Sequence, residues 1–132
     1  MSHFTRVKTQ FRDLDLVVKA LEDLGYAGKV ERHGSPVALE GWGGTKRRGE
    51  VVVRKHDLSP AYSDLGFERQ SNGDVAMWAD SDFVSRNPRF ATSLTQRYAY
   101  HATLSSLTGQ GFSVAEETSE RGEIRLVLRR FS

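Results

Sequence analysis

The chain has 132 residues and 14.8 kDa, enough for one domain with its own core, and its 38% hydrophobic and 27% charged residues are those of a globular protein. It has no cysteine, which excludes disulfide scaffolds, zinc ribbons, thiol nucleophiles and cysteine-ligated iron–sulfur clusters. The net charge of +2, from 19 Lys and Arg against 17 Asp and Glu, is small for a strong phosphate binder, and no apolar run approaches the roughly 20 residues of a membrane span.

The first residues, Met1 to Lys8, contain no apolar signal core and read as mature cytoplasmic sequence. His3 to Gln10 alternates as a short strand. Residues 12–24 form the clearest helix: Leu14, Val17, Val18, Leu21 and Leu24 make one apolar stripe, Asp13 or Asp15 suits the N-terminus, and Gly25 suits a left-handed C-terminal cap. Lys29 to His33 reads as a strand and Gly34-Ser35-Pro36 as a breaker. Val37 to Trp42 and Glu50 to Lys55 flank a glycine-rich basic connection as a hairpin, with Val51-Val52-Val53 as the strongest strand signal. Asp57 to Ser63 reads as loop, with a turn at Ser59-Pro60.

A second hairpin pairs Leu65–Gln70 with Val75–Ala79 through a tight primed turn at Asn72-Gly73. Asp80-Ser81-Asp82 reads as a turn at the strand's end. Asn87-Pro88 opens a second helix carrying Phe90, Leu94, Tyr98 and Leu104, which ends at Gly109 to Gly111. Phe112–Glu116 and Glu123–Arg130 form a last antiparallel pair, with Ile124, Leu126 and Leu128 on its buried side. The expected fold is α+β: one domain over 1–132, a mostly antiparallel sheet of six or seven strands, and two helices on one face. The first topology is a ferredoxin-like split arrangement with an extra hairpin.

Two blocks carry a resemblance over nearly the whole length. One runs from Met1-Ser2-His3-Phe4 through Lys8-Thr9 and Arg12-Asp13-Leu14 to Ala20-Leu21 and Leu24-Gly25-Tyr26. The other is Thr95-Gln96-Arg97-Tyr98-Ala99-Tyr100, then Gln110-Gly111-Phe112 and Ile124 to Arg130. Together they resemble the hypothetical-chloroplast-reading-frame thirty-five family, a group of small uncharacterised proteins of cyanobacteria and red-algal plastids. Phe131 stands where that family tends to carry Trp, and its middle hairpin is less basic than Gly44 to Gly49 here. The family has no established activity. The resemblance implies a protein partner, with an AAA-type ATPase or a photosynthetic assembly client as the guess.

The most site-like stretch is Gly41 to Gly49. Glycines let a backbone approach a phosphate, and Trp42, Lys46, Arg47 and Arg48 are candidates for anion or nucleic-acid contact by charge and stacking. The P-loop spacing is absent, and the plainer reading is a solvated loop. Arg97, Tyr98 and Tyr100 are candidates for a partner surface, since aromatic and arginine side chains make interface hot spots; the plainer reading packs both rings on the sheet. The four histidines share no ligand spacing, so a cluster of His56, Asp57, Asp80 and Asp82 is a remote option and no metal or cofactor is expected. Nothing singles out Glu40 and Glu50 as a carboxylate pair, and no serine-nucleophile motif occurs, so no catalytic residue is assigned. Three functions follow in order: a non-catalytic protein-binding or assembly module, a weak nucleic-acid binder using the basic hairpin, and a ligand-binding or enzymatic domain with a pocket between helix and sheet.

Overall fold

A computed structural model describes residues 3–41, 46–58 and 61–130. The loop at 42–45, with Trp42, the Ser59-Pro60 turn and Phe131 lie outside the described residues. The chain forms two compact units, Met1–Tyr98 and Ala99–Ser132.

In the first unit, β1 (Phe4–Val7) leads to α1 (Leu14–Leu21) and a π-helical turn at Glu22–Tyr26. The Asp13 carboxylate caps α1, accepting from the amides of Asp15 at 2.8 Å and Leu16 at 3.2 Å. Gly25, at φ 102°, ends the helical run where the left-handed backbone favours glycine. Then come β2 (Val30–Ala38), β3 (Arg48–Val53), a 3₁₀ turn at Lys55–Asp57, β4 (Leu65–Arg69), β5 (Val75–Asp80), α2 (Ser81–Arg86) and the start of α3 (Phe90–Gly109).

The five strands lie in the order β1-β5-β4-β3-β2, and every hydrogen-bonded pair is antiparallel. The fold is α+β, as the sequence indicates. The ferredoxin-like split arrangement is not confirmed: here β2 to β5 form a meander, and α1 carries the chain from β1 at one edge to β2 at the other. Alternation gives the sheet two unlike faces. Val51, Val53, Leu65, Phe67, Val75, Met77 and Ala79 face a core shared with Phe11, the α1 stripe, Phe83 of α2 and Leu94 of α3.

Several local expectations are corrected. Gly34-Ser35-Pro36 does not end a strand; it lies in a register shift of β2 between Arg32 and Val37. An edge strand tolerates this, because proline's missing N–H faces no partner there. The β4–β5 loop is not a two-residue primed turn. Gln70 N donates to Asp74 O at 2.7 Å, and only Gly73 of the loop has positive φ. The residues Asp80-Ser81-Asp82 start α2 instead of making a simple turn, with the Asp80 carboxylate accepting from Asp82 N at 2.8 Å.

The second unit holds the end of α3 and the hairpin of β6 (Phe112–Glu120) and β7 (Glu123–Arg130). The seven strands therefore divide between two sheets, of five and of two. The primed turn occurs here: Arg121 and Gly122 both have positive φ, at 53° and 79°. Of the side of β7 expected to be buried, Leu126 alone is half-buried, while Ile124 and Leu128 are exposed, as is Val127.

Leu94 is the one buried residue of α3 among those described, and its side chain completes the core of the first unit. Leu94→Ala should lower unfolding free energy by about 2–5 kcal/mol. Urea denaturation checks this, with a lower midpoint and an unchanged slope as the expected result.

Candidate functional site

The side chains of the sheet that turn away from α1 are of a different kind. Phe4, Leu39 and Val52 form a small second core there, with Val37 and Trp78 packed against it. Leu39 lies so close over β4 that a Cβ on Gly66 would sit 2.4 Å from its Cδ1. The rest of this face is polar and charged, and it divides into two clusters.

The first cluster centres on Arg54, just after β3. Its Nε and Nη2 donate to Glu31 Oε2 and Oε1 of β2 at 2.8 and 3.0 Å, a bidentate pairing. Its Nη1 donates to Asp64 Oδ2 at 2.9 Å and to Ala38 O at 3.2 Å. Asp64 is fully buried and also accepts from Glu40 N at 2.7 Å and Lys55 N at 2.8 Å. His33 Nε2 lies 2.8 Å from Glu31 Oε1. The hydrogen bonds from Arg54, against a smaller opposing effect of burial, hold the Glu31 carboxyl down from 4.5 to about 2, and the guanidinium's own pKa is raised in turn. Such a carboxylate is a poor base at neutral pH, and the Arg54 and Asp64 polar atoms are committed to partners. The cluster is a tie between strands, beside a cavity of about 630 Å³ rimmed by Glu40, Lys55 and His56.

The second cluster centres on Trp78 of β5. Its Nε1 donates to Glu68 Oε1 of β4 at 3.1 Å. The Arg47 guanidinium carbon stands 4.2 Å from the indole centroid, and that of Arg6, from β1, stands 6.0 Å away. Arg47 Nε is buried with no hydrogen-bond partner among the described residues, a cost on the order of 1–3 kcal/mol. Lys46 and Arg48 are exposed on either side, and the three cations with Glu68, Ala38 and Leu39 line a cavity of about 550 Å³.

The structure thus gathers Lys46, Arg47 and Arg48 at one cavity, while Trp42 lies outside the described residues. Arg97 and Tyr98 are placed against α1 and the turn after it. Arg97 Nε donates to Asp23 Oδ2 at 2.8 Å. The Tyr98 hydroxyl accepts from the amides of Arg12 and Asp13, both at 3.0 Å, and its ring lies 4.6 Å from that of Phe11. Tyr100 is half-buried and meets His101 edge-on at 5.1 Å. His56 reaches Asp57 at 3.2 Å, but Asp80 and Asp82 belong to the start of α2, and the described residues hold no group of three metal-ligating side chains. Glu40 pairs loosely with Lys55 at 3.5 Å, whereas Glu50 is buried and accepts from Arg69 N at 3.1 Å, so the two carboxylates have separate tasks.

Arg54, Glu31, Asp64, Trp78, Glu68 and Arg6 were missed in the sequence. Trp78 carried a signal: it falls on the second face of a strand whose first face is Val75, Met77 and Ala79. The other five become neighbours only through strand register and loop placement.

A family described as "Protein of unknown function (DUF1257)" matches residues 20–127. The chain belongs to this family. It is 31% identical to "Uncharacterized protein ycf35" of Guillardia theta over 135 residues, covering 99% of this chain and 98% of that one. It is 26% identical to the protein of the same name from Pyropia yezoensis over 138 residues, covering 100% and 99%. Both are the plastid reading frame that the terminal blocks resemble. No solved structure matches the chain. No helix among the described residues is long and apolar enough to cross a membrane.

Because folding lowers the Glu31 pKa, its contribution to stability is present above pH 4.5 and fades as pH falls toward about 2. Glu31→Gln should be less stable than the natural chain at pH 7, with the gap narrowing through that window. Urea titrations of both proteins at a series of pH values check this; a constant gap contradicts it.

Proposed function

We propose that the chain is a non-catalytic protein-binding or assembly module, with the β6–β7 hairpin as its docking element. The observation that supports this reading is the exposure of Val114, Ile124, Val127 and Leu128 on a sheet of only two strands. A two-stranded hairpin alone is marginal in water, and long unpaired strand edges are normally shielded or used for pairing. Charges such as Glu116, Arg125 and Arg129 and a register shift after Val114 limit indiscriminate edge pairing, yet four branched aliphatics stay exposed on strands of nine and eight residues. A protein partner that adds a strand or an apolar surface would bury them.

Of the three residues singled out in the sequence for partner binding, Tyr100 belongs to the same unit as the hairpin and stays in this proposal. Arg97 and Tyr98 act on α1 and its following turn, and their part is to hold the first unit together. An AAA-type ATPase or an assembly client remains the guess for the partner's class, taken from the family resemblance alone.

The test is recovery of tagged protein from native lysate at high salt. The natural chain should retain a stoichiometric protein partner, and the double substitution Ile124→Glu with Leu128→Glu should lose it while circular dichroism and Tm stay the same. Equal capture by both proteins, or none by the natural chain, overturns the reading.

A further inference from the structure

We propose that the face of the five-stranded sheet turned away from α1 carries a phosphate-binding site, with Arg47 at its centre and Lys46 and Arg48 at its rim.

The first support is charge without compensation. Among the described residues, Arg12, Arg32, Arg54, Arg86 and Arg97 each pair with a carboxylate within 3.1 Å. Lys46, Arg47 and Arg48 are consecutive and line one cavity, yet no described carboxylate forms an ion pair with any of them. Glu68 is the single acidic side chain in that lining, and one of its oxygens is already engaged by the Trp78 indole. Three cations against one carboxylate leave a local positive surplus that the chain's small net charge hides.

The second support is preorganisation. Stacking at 4.2 Å on Trp78 fixes the plane of the Arg47 guanidinium, and Trp78 is itself fixed by Glu68 and by strands on both sides. A guanidinium held flat in advance loses little freedom when it takes up an oxyanion. Its Nε has no acceptor among the described residues, so the guanidinium's charge is met there by the indole face alone and stays available to an anion at its terminal nitrogens. Arg6 brings a second guanidinium to the same indole, adding to the field that draws an anion in.

The ligand's class follows from the lining. The cavity, about 550 Å³, exceeds the needs of an inorganic ion, and Ala38 and Leu39 give it an apolar wall. A phosphoryl group carried on a larger organic moiety fits this combination. A nucleotide and a nucleic-acid backbone both present that chemistry. This site belongs to the first unit and the hairpin to the second, and the site does not depend on the protein-binding reading.

The experiment titrates the full chain, labelled with nitrogen-15, with inorganic phosphate, ATP and a twelve-nucleotide single-stranded RNA at low and high salt. The reporter is the Trp78 indole N–H resonance, assigned with Trp78→Phe. Saturable displacement by ATP that needs no RNA identifies a soluble nucleotide as the source. Displacement by RNA alone, falling steeply with salt, identifies a nucleic-acid backbone. In either case Arg47→Gln should weaken binding about tenfold or more, as the loss of a charge-assisted contact. The double change Lys46→Gln with Arg48→Gln, at two exposed positions, should weaken ATP binding or lower the RNA salt slope by about 2. Absence of saturable displacement by any of the three probes overturns the proposal. So does affinity unchanged in both variants.

Discussion

Arg54 holds together the side of the sheet that α1 does not reach. Its fork grips Glu31 on the edge strand β2, and its remaining terminal nitrogen grips Asp64, which fixes the amides of Glu40 and Lys55. One guanidinium and one buried carboxylate therefore tie the edge strand, the chain leaving β2, the exit of β3 and the approach to β4. A buried carboxylate is tolerated only when its charge and lone pairs are met, and Asp64 meets that condition through three backbone or side-chain donors.

That tie has a consequence for the rest of the face. With Glu40 anchored to Asp64, and Leu39 N bonded to Arg47 O at 2.9 Å, Leu39 is pressed onto β4 at Gly66. Absence of a side chain at Gly66 is what makes room for it. The same hydrogen bond sets Arg47 beside Trp78. The apolar patch and the cationic cavity are thus adjacent products of one chain path, where polar groups do the organising that helices do on the opposite face.

The C-terminal hairpin follows other rules. Its pairing is set locally, by a turn in which Arg121 and Gly122 both adopt positive φ and by a register shift between Val114 and Glu116. The alternation of Ile124, Leu126 and Leu128 looks from the sequence like a half-buried strand. Alternation reports that one side of a strand is apolar, and says nothing about whether the same chain supplies a cover.

The sequence by itself determined the elements whose causes are local. The stripe from Leu14 to Leu21, an acidic start at Asp13 or Asp15 (Asp13 being the cap in the structure), the glycine stop at Gly25 and the Val51–Val53 strand all rest on side-chain period and backbone preference over a few residues. It also pointed to the family, to which the chain is similar over its full length. Tertiary structure alone decided the strand order, the division of seven strands into sheets of five and two, and the meeting of Arg54 with Glu31 and Asp64. It also turned three cations in a basic loop into the lining of a cavity beside Trp78. These depend on register and on contacts between residues 10 to more than 70 positions apart, and no local preference encodes which distant charge or indole a side chain will meet.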